Sequence, residues 1–265
     1  MILAAVLGDP VGQSRSPRLH GHWLARHGID GAYVPLRVRA GDLAETLRLL
    51  PRLGFAGCNV TIPLKAAALA LAEEATARAR RVGAANTLVF GADGIRADTT
   101  DGVGLVASLR AAGGWDAGRP ALVLGAGGAA RGVVDGLLEA GVPAVRVANR
   151  TRARAEALAA MDRRIVVEDW PGSMTGLGLL VNATSLGMVG QPPLSVPLDG
   201  LPGDAVVCDI VYAPLETGLL RAARARGNPC VDGLGMLLHQ AVPGFRAWFG
   251  VEPVVDEALR DAVLA

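Results

Sequence analysis

The chain has 265 residues, 51% hydrophobic and 19% charged, which is ample for a packed core and suggests two domains. Lys+Arg 26 against Asp+Glu 25 leaves a formal charge of +1, so nothing marks a nucleic-acid or membrane partner and the expected partner is a small molecule. The opening MILAAVLGDP lacks a basic leader segment, no stretch approaches the roughly 20 apolar residues of a membrane span, and Cys58, Cys208 and Cys230 are widely spaced in apolar contexts, so a cytoplasmic protein with reduced cysteines and no metal site is expected.

Apolar runs with strand character, ILAAVLG, AYVPLRV, FAGCNVTIP and NTLVF, alternate with helical patterns over 17–27, 42–53 and 64–75. GADG at 91–94 predicts a hairpin joining 86–90 to 95–97, after which TTDGVGLVASLRAAG opens a new helix. The domain boundary is placed near Asp101. From Pro120 the rhythm tightens: ALVLGAG, a helix to Gly141, AVRVANR, a helix to Met161, then RIVVEDW, GLLVNATS and AVVCDIVY. Such alternation implies a parallel, doubly wound sheet with helices on both faces. GMLLHQAVPGFRAWFG and VVDEALRDAVL read as helices that pack back on the first half, which divides the chain into 1–101, 102–235 and 236–265. Trp23 and Trp248 read as core or interface residues.

Some polar residues lack a sufficient local explanation. In QSRSPRLHGHWL, Ser16 before Pro17 reads as a helix N-cap, but Ser14 has no such role; two hydroxyls near a helix start suit an anionic group such as a carboxylate. In CNVTIPLKAAALALAEE, Lys65 lies in the first helical turn, where a cation opposes the macrodipole. Its neighbours one turn away, Thr61, Ala68 and Leu69, offer no carboxylate, so a more distant acid or a ligand must account for any role. Asn86 stands at a strand entrance with no turn partner, and Asp101 either caps a helix beginning at Gly102 or serves a site.

LVLGAGGAARGVV sets Gly125, Gly127 and Ala130 in G-x-G-x-x-A spacing between a strand and a helix. The spacing fits either an ordinary glycine-rich turn or a pyrophosphate cradle at a helix N-terminus. The end of the next strand favours the cradle. An NAD-selective site puts an acid there for the ribose 2′-hydroxyl, whereas this chain has Asn149, Arg150, Thr151 and then Arg154. Guanidinium forks and a threonine hydroxyl that also caps the next helix suit a 2′-phosphate, so NADP(H) is the expected cofactor; a merely solvated helix start would not favour cations.

Taken in order, QSRSP, NVTIPLK, GAANT, TTDG, GAGGAAR, NRTRAR, NATSLGM and DGLGMLLHQA resemble the shikimate dehydrogenases over nearly the whole chain. The resemblance implies an N-terminal substrate domain, a Rossmann-like NADP-binding domain, a cleft between them, and reduction of 3-dehydroshikimate to shikimate in chorismate and aromatic amino acid biosynthesis. It also implies that Ser14, Ser16 and Tyr212 bind the substrate carboxylate, and that Thr61, Lys65, Asn86, Asp101 and Gln240 surround its hydroxyls, with Lys65 and Asp101 catalytic. Gly125, Ala126, Gly127, Gly128 and Ala129 would hold the pyrophosphate, Asn149 to Arg154 the adenosine phosphate end, and Ile210 with Gly233 the nicotinamide side. The sequence departs from the family pattern at Ala77, where many members carry an acid, and at Thr99, where they carry an amide. A monomer or homodimer fits the resemblance. Two other functions fit parts of the sequence: a broader quinate/shikimate dehydrogenase, which the missing acid after the second strand argues against, and a non-catalytic NADP- and ligand-binding regulator, which would not need both Lys65 and Asp101.

Overall fold

Strand β1, Ile2–Gly8, is buried from Ala4 onward on both faces, which requires a parallel neighbour on each side. In the computed structural model, which describes residues 1–265, those neighbours are β2 (Gly31–Arg37) and β3 (Phe55–Val60), each reached through a helix: α1 (Ser16–Arg26) and α2 (Leu43–Leu49). β2 lies at the sheet edge, where Pro35 withholds no ladder bond that the sheet needs. Beyond β3 come α3 (Lys65–Ala70), the short edge strand β4 (Glu74–Ala75) and α4 (Ala77–Val82). The hairpin β5 (Thr87–Gly91) and β6 (Gly94–Asp98) completes the order β2-β1-β3-β5-β6-β4, with β5 antiparallel to both β3 and β6.

One face of this sheet packs Leu7, Val60 and Leu88 against Leu43, Leu47 and Leu64. An aromatic cluster of His20, Trp23, Tyr33, Phe245, Trp248 and Phe249 joins α1 and β2 to the end of the chain. Both indoles are anchored: Trp23 Nε1 donates to the Val254 carbonyl at 2.9 Å and Trp248 Nε1 to the Leu88 carbonyl at 3.0 Å. Gly57 makes room for the second, since a Cβ there would collide with the Trp248 indole. Met1–Thr100 and Gln240–Ala265 accordingly form one unit, and Asp101–His239 the other.

The second unit opens with α5 (Asp101–Ala112) and then alternates β7 (Ala121–Leu124), α6 (Gly128–Glu139), β8 (Val145–Ala148), α7 (Arg152–Ala159) and β9 (Ile165–Glu168). β10 (Leu179–Asn182), β11 (Val206–Asp209), α8 (Gly218–Ala225) and β12 (Cys230–Val231) follow. All its strands are parallel in the order β12-β11-β10-β7-β8-β9, so the chain reverses direction of winding at β7 and β10, the Rossmann arrangement. Strand alternation divides β7 between two cores: Ala121 and Val123 face Val133, Val134 and Leu137, while Leu122 and Leu124 face Leu177, Leu219 and Leu220. Helix α9 (Gly233–Phe249) starts in this unit and ends in the first, followed by α10 (Glu257–Leu264).

Some sequence expectations need correction. The helix expected over 42–53 is α2 alone, with short 3₁₀ turns at Ala40–Asp42 and Pro51–Leu53, because Pro51 cannot continue an α-helix. The helix expected over 64–75 ends at Ala70, since Glu74 and Ala75 pair with Arg96 and Ala97 of β6. Sheet pairing overrides alanine's helix propensity there. All three cysteines are free, and no helix is long and apolar enough to cross a membrane.

Candidate functional site

In the first unit the candidate substrate residues gather at one end of the sheet, beyond the carboxyl ends of β1 and β3. Ser14 and Ser16 follow β1; Thr61 and Lys65 follow β3. Asn86 reaches the same end because β5 runs antiparallel, and the Val60 N–H donates to its carbonyl at 2.8 Å. Thr61 is drawn against β1 by its N–H, which donates to the Leu7 carbonyl at 2.8 Å, and Gly8 is needed because a Cβ there would strike the Thr61 methyl. Lys65 is half-buried as the first residue of α3, and its carbonyl accepts from the Ala85 N–H at 2.9 Å.

The capping expectation for Ser16 is corrected. Helix α1 starts at Ser16 itself with Arg15 already helical, so the Ser16 hydroxyl is no cap; instead the Ser16 N–H donates to Ser14 Oγ at 3.3 Å. Ser14, expected to have no local role, therefore serves the helix start, and as an acceptor it keeps its own O–H available to donate. Helix α5 begins at Asp101, one residue before the expected start at Gly102, and the preceding Thr100 N–H donates to Asn86 Oδ1 at 2.9 Å.

Asn86, expected to stand without local partners, lies in a buried polar network. Its Oδ1 also accepts from the hydroxyls of Thr100 at 3.1 Å and Thr87 at 3.0 Å, which fixes Nδ2 as the donor half; Nδ2 donates to Gln240 Oε1 at 3.3 Å. The network extends to residues that the sequence reading missed. Asn59 Nδ2 donates to the Asn86 carbonyl at 3.0 Å and to Thr87 Oγ1 at 3.1 Å, and the Tyr33 hydroxyl donates to Asn59 Oδ1 at 2.6 Å. An asparagine inside the apolar strand of GCNVT was a signal, since a buried amide must find partners. Burial first, and then nearby Cys58, push the Tyr33 hydroxyl well above its usual range, against a hydrogen bond with Ser16 that pulls it down, so Tyr33 stays a neutral donor.

In the second unit the cofactor candidates again lie beyond the strand carboxyl ends. Gly125 ends β7 at φ +110°, a conformation that favours glycine, and a Cβ there would lie 2.9 Å from the Thr184 methyl. Gly127 and Gly128 face open space and are exposed at the N-terminus of α6, while Ala126 and Ala129 are half-buried and Ala130 is buried against the sheet. Free helical N–H groups with nothing beside them suit an anionic pyrophosphate. After β8, Asn149 Nδ2 donates to the Thr151 carbonyl at 2.8 Å and shapes the turn. Thr151 stands at the N-cap of α7, yet its hydroxyl makes no capping bond, contrary to the expected double role. Arg152 is bound to Glu156 and Asp169, whereas Arg150 and Arg154 are exposed and make no ion pair within the protein. Two unpaired guanidinium groups and an uncommitted hydroxyl fit a 2′-phosphate.

Ile210 and Gly233 are brought together: a Cβ on Gly233 would strike the Ile210 carbonyl and lie 2.7 Å from the Val211 carbonyl carbon. The segment holding Ile210 is fixed by buried Asp209, whose Oδ1 accepts from Asn182 Nδ2 at 2.9 Å and the Val211 N–H at 3.0 Å, and whose Oδ2 accepts from Thr217 at 2.7 Å. Burial raises the Asp209 carboxyl above its ordinary value, and these hydrogen bonds only partly offset it. Tyr212 is half-buried just past β11, in the unit that does not contain Ser14 and Ser16. Asp101 is buried at the start of α5.

Residues 6–88 match the family model described as shikimate dehydrogenase substrate binding domain, 112–170 that of shikimate / quinate 5-dehydrogenase, and 233–264 that of the shikimate 5′-dehydrogenase C-terminal domain. The chain is similar to a shikimate dehydrogenase (NADP(+)) of Dinoroseobacter shibae, 57% identical over 270 residues that cover 99% of this chain and 97% of the relative. Among solved structures it is similar to shikimate 5-dehydrogenase of Thermus thermophilus in complex with NADP(H) and shikimate, with a TM-score of 0.90, 38% identity, and coverage of 100% of this chain and 99% of that one. It is also similar to quinate dehydrogenase of Corynebacterium glutamicum in complex with NAD, at TM-score 0.89 and 34% identity, covering 99% of this chain and 98% of that one.

Proposed function

The chain belongs to the shikimate dehydrogenase family, and from that premise we propose its reaction: reversible, NADPH-dependent reduction of 3-dehydroshikimate to shikimate, on the route to chorismate and the aromatic amino acids. The observation that carries this reading is the end-to-end match to curated NADP-dependent shikimate dehydrogenases. NADPH, when bound, supplies the hydride. Gly125, Ala126, Gly127, Gly128 and Ala129 take the pyrophosphate, Asn149, Arg150, Thr151 and Arg154 the 2′-phosphate end, and Ile210 with Gly233 borders the nicotinamide.

The remaining work falls to the protein's polar groups. Ser14 and Ser16 hold the substrate carboxylate together with Tyr212; the Ser14 O–H left over from the helix start supports that role. Thr61, Asn86 and Gln240 meet the substrate hydroxyls, with Asn86 presenting its amide N–H side because its oxygen is committed to Thr87 and Thr100. Lys65 donates a proton to the developing alkoxide during reduction and takes it back during oxidation, and Asp101 is its partner in that step. The protein acts in the cytoplasm, a compartment that its three unpaired cysteines suit.

Incubation with 3-dehydroshikimate and NADPH, followed by chromatographic identification of the product, tests the reading. Stoichiometric shikimate and NADP⁺ are expected. Binding of both ligands without turnover would replace the enzyme with the regulatory reading.

A further inference from the structure

Helix α5 begins at Asp101 and runs against α6, the helix whose N-terminus carries Gly127 and Gly128. At their crossing the two backbones touch. A Cβ on Gly136 would lie 2.6 Å from Gly102 Cα, and one on Gly102 would strike the Gly132 carbonyl oxygen. One turn before Gly136, a Cβ on Gly132 would stand 3.1 Å from Asp101 Cβ and 3.7 Å from its Oδ2. Gly132 and Gly136 have no positive φ, so the backbone does not require glycine at either position. A helix interior disfavours glycine, so close approach is the physical reason for both.

We propose that Gly132 is a positioning residue for the reaction: the absence of a side chain there sets the seat of the Asp101 carboxylate, while Gly102 and Gly136 hold the crossing. The inference rests on the catalytic reading of Asp101 given above. Gly132 lies five residues beyond Gly127, about 7.5 Å along the helix axis. One rigid helix therefore fixes both the phosphate-binding turn and the seat of the acid. A methyl group at 132 displaces Asp101 by a few tenths of an ångström while leaving the exposed N-terminus of α6 unchanged.

The test is a cycle of Gly132→Ala, Asp101→Asn and the double variant, assayed with saturating shikimate and NADP⁺, with NADPH binding measured separately by fluorescence. Gly132→Ala is expected to lower kcat by about tenfold, the scale of loss from a small misplacement of a catalytic group, with the KM for NADP⁺ and the Kd for NADPH within about twofold of the parent. In the Asp101→Asn background the same change should alter kcat by less than about twofold, which a general packing defect would not produce. Equal losses in both backgrounds, or loss of folding or NADPH binding in Gly132→Ala, would overturn the proposal by assigning Gly132 to helix packing alone. If Asp101→Asn by itself leaves kcat unchanged, the catalytic reading of Asp101 falls and this inference falls with it. If Asp101→Asn lowers kcat but Gly132→Ala does not, only this inference falls.

Discussion

At the scale of single residues, Lys65, proposed above as the proton donor, is a poor choice for its own helix. A cation in the first turn of α3 opposes the dipole, and no acid stands one turn away. Lys65→Met should fold normally, still bind NADPH and shikimate, and lose kcat by a factor on the order of 10²–10⁴. Near-normal turnover at saturation would remove Lys65 from the mechanism. The serines divide differently from the sequence expectation. Ser14→Ala should raise the KM for shikimate and also cost up to about 1 kcal/mol of stability, because Ser14 Oγ accepts the first N–H of α1. Ser16→Ala loses no cap. Denaturant titration beside shikimate kinetics separates the two effects, and a Ser16→Ala chain less stable than Ser14→Ala would reverse the assignment.

At the scale of elements, legibility depended on whether the reason for a structure was local. The 91–94 hairpin, the β7 turn into α6 and the acid-free end of β8 were readable because turn glycines and strand–helix alternation are sequence-adjacent. Helix α4 was missed although its signals were present: Thr76 caps it, accepting from the Ala79 N–H at 3.3 Å, and Gly83 stops it at φ +71°. The early end of α3 was not readable, because it follows from pairing of β4 with β6 across the sheet. Nor was the network from Tyr33 through Asn59 to Asn86, whose members come from three separate strands or strand entrances.

The turn between β8 and α7 gives a test at this scale. Arg152 is occupied by Glu156 and Asp169 while Arg150 is unpaired, so Arg150→Ala should raise the KM for NADP⁺ about tenfold and barely change that for NAD⁺. An equal effect on both cofactors would place Arg150 away from the 2′-phosphate. The packing of α1 supplies another. His20 is fully buried, stacked on Tyr33 with ring centroids 3.9 Å apart, and neither of its nitrogens has a hydrogen-bond partner. Burial lowers its pKa from 6.5 to about 3, so between those values the unfolded chain takes up a proton that the folded chain refuses. Its contribution is full above pH 6.5 and is lost as pH falls toward 3, at up to about 1.4 kcal/mol per pH unit. His20→Phe should flatten the fall in urea midpoint between about pH 7.5 and about pH 5; an unchanged fall would show that other groups set it.

At the scale of the whole molecule, the chain divides the task between two α/β units, with hydroxyl and amide donors at the sheet end of one and a glycine turn with unpaired arginines at the sheet end of the other. The fold alone does not choose the reaction, since the chain is similar over nearly its full length both to a shikimate dehydrogenase bound to NADP(H) and to a quinate dehydrogenase bound to NAD. The choice rests on side chains: cations in place of an acid after β8, and, as proposed, two serine hydroxyls that suit the flatter shikimate ring better than quinate with its extra hydroxyl. The most direct measurement is therefore kcat/KM for formation of the reduced nicotinamide, NADPH or NADH, with shikimate or quinate, each with NADP⁺ and NAD⁺. The account predicts that shikimate with NADP⁺ exceeds every other pairing by at least about tenfold, the factor expected when one charge-assisted contact or one hydroxyl is mismatched. Comparable values with NAD⁺, or with quinate, would contradict it.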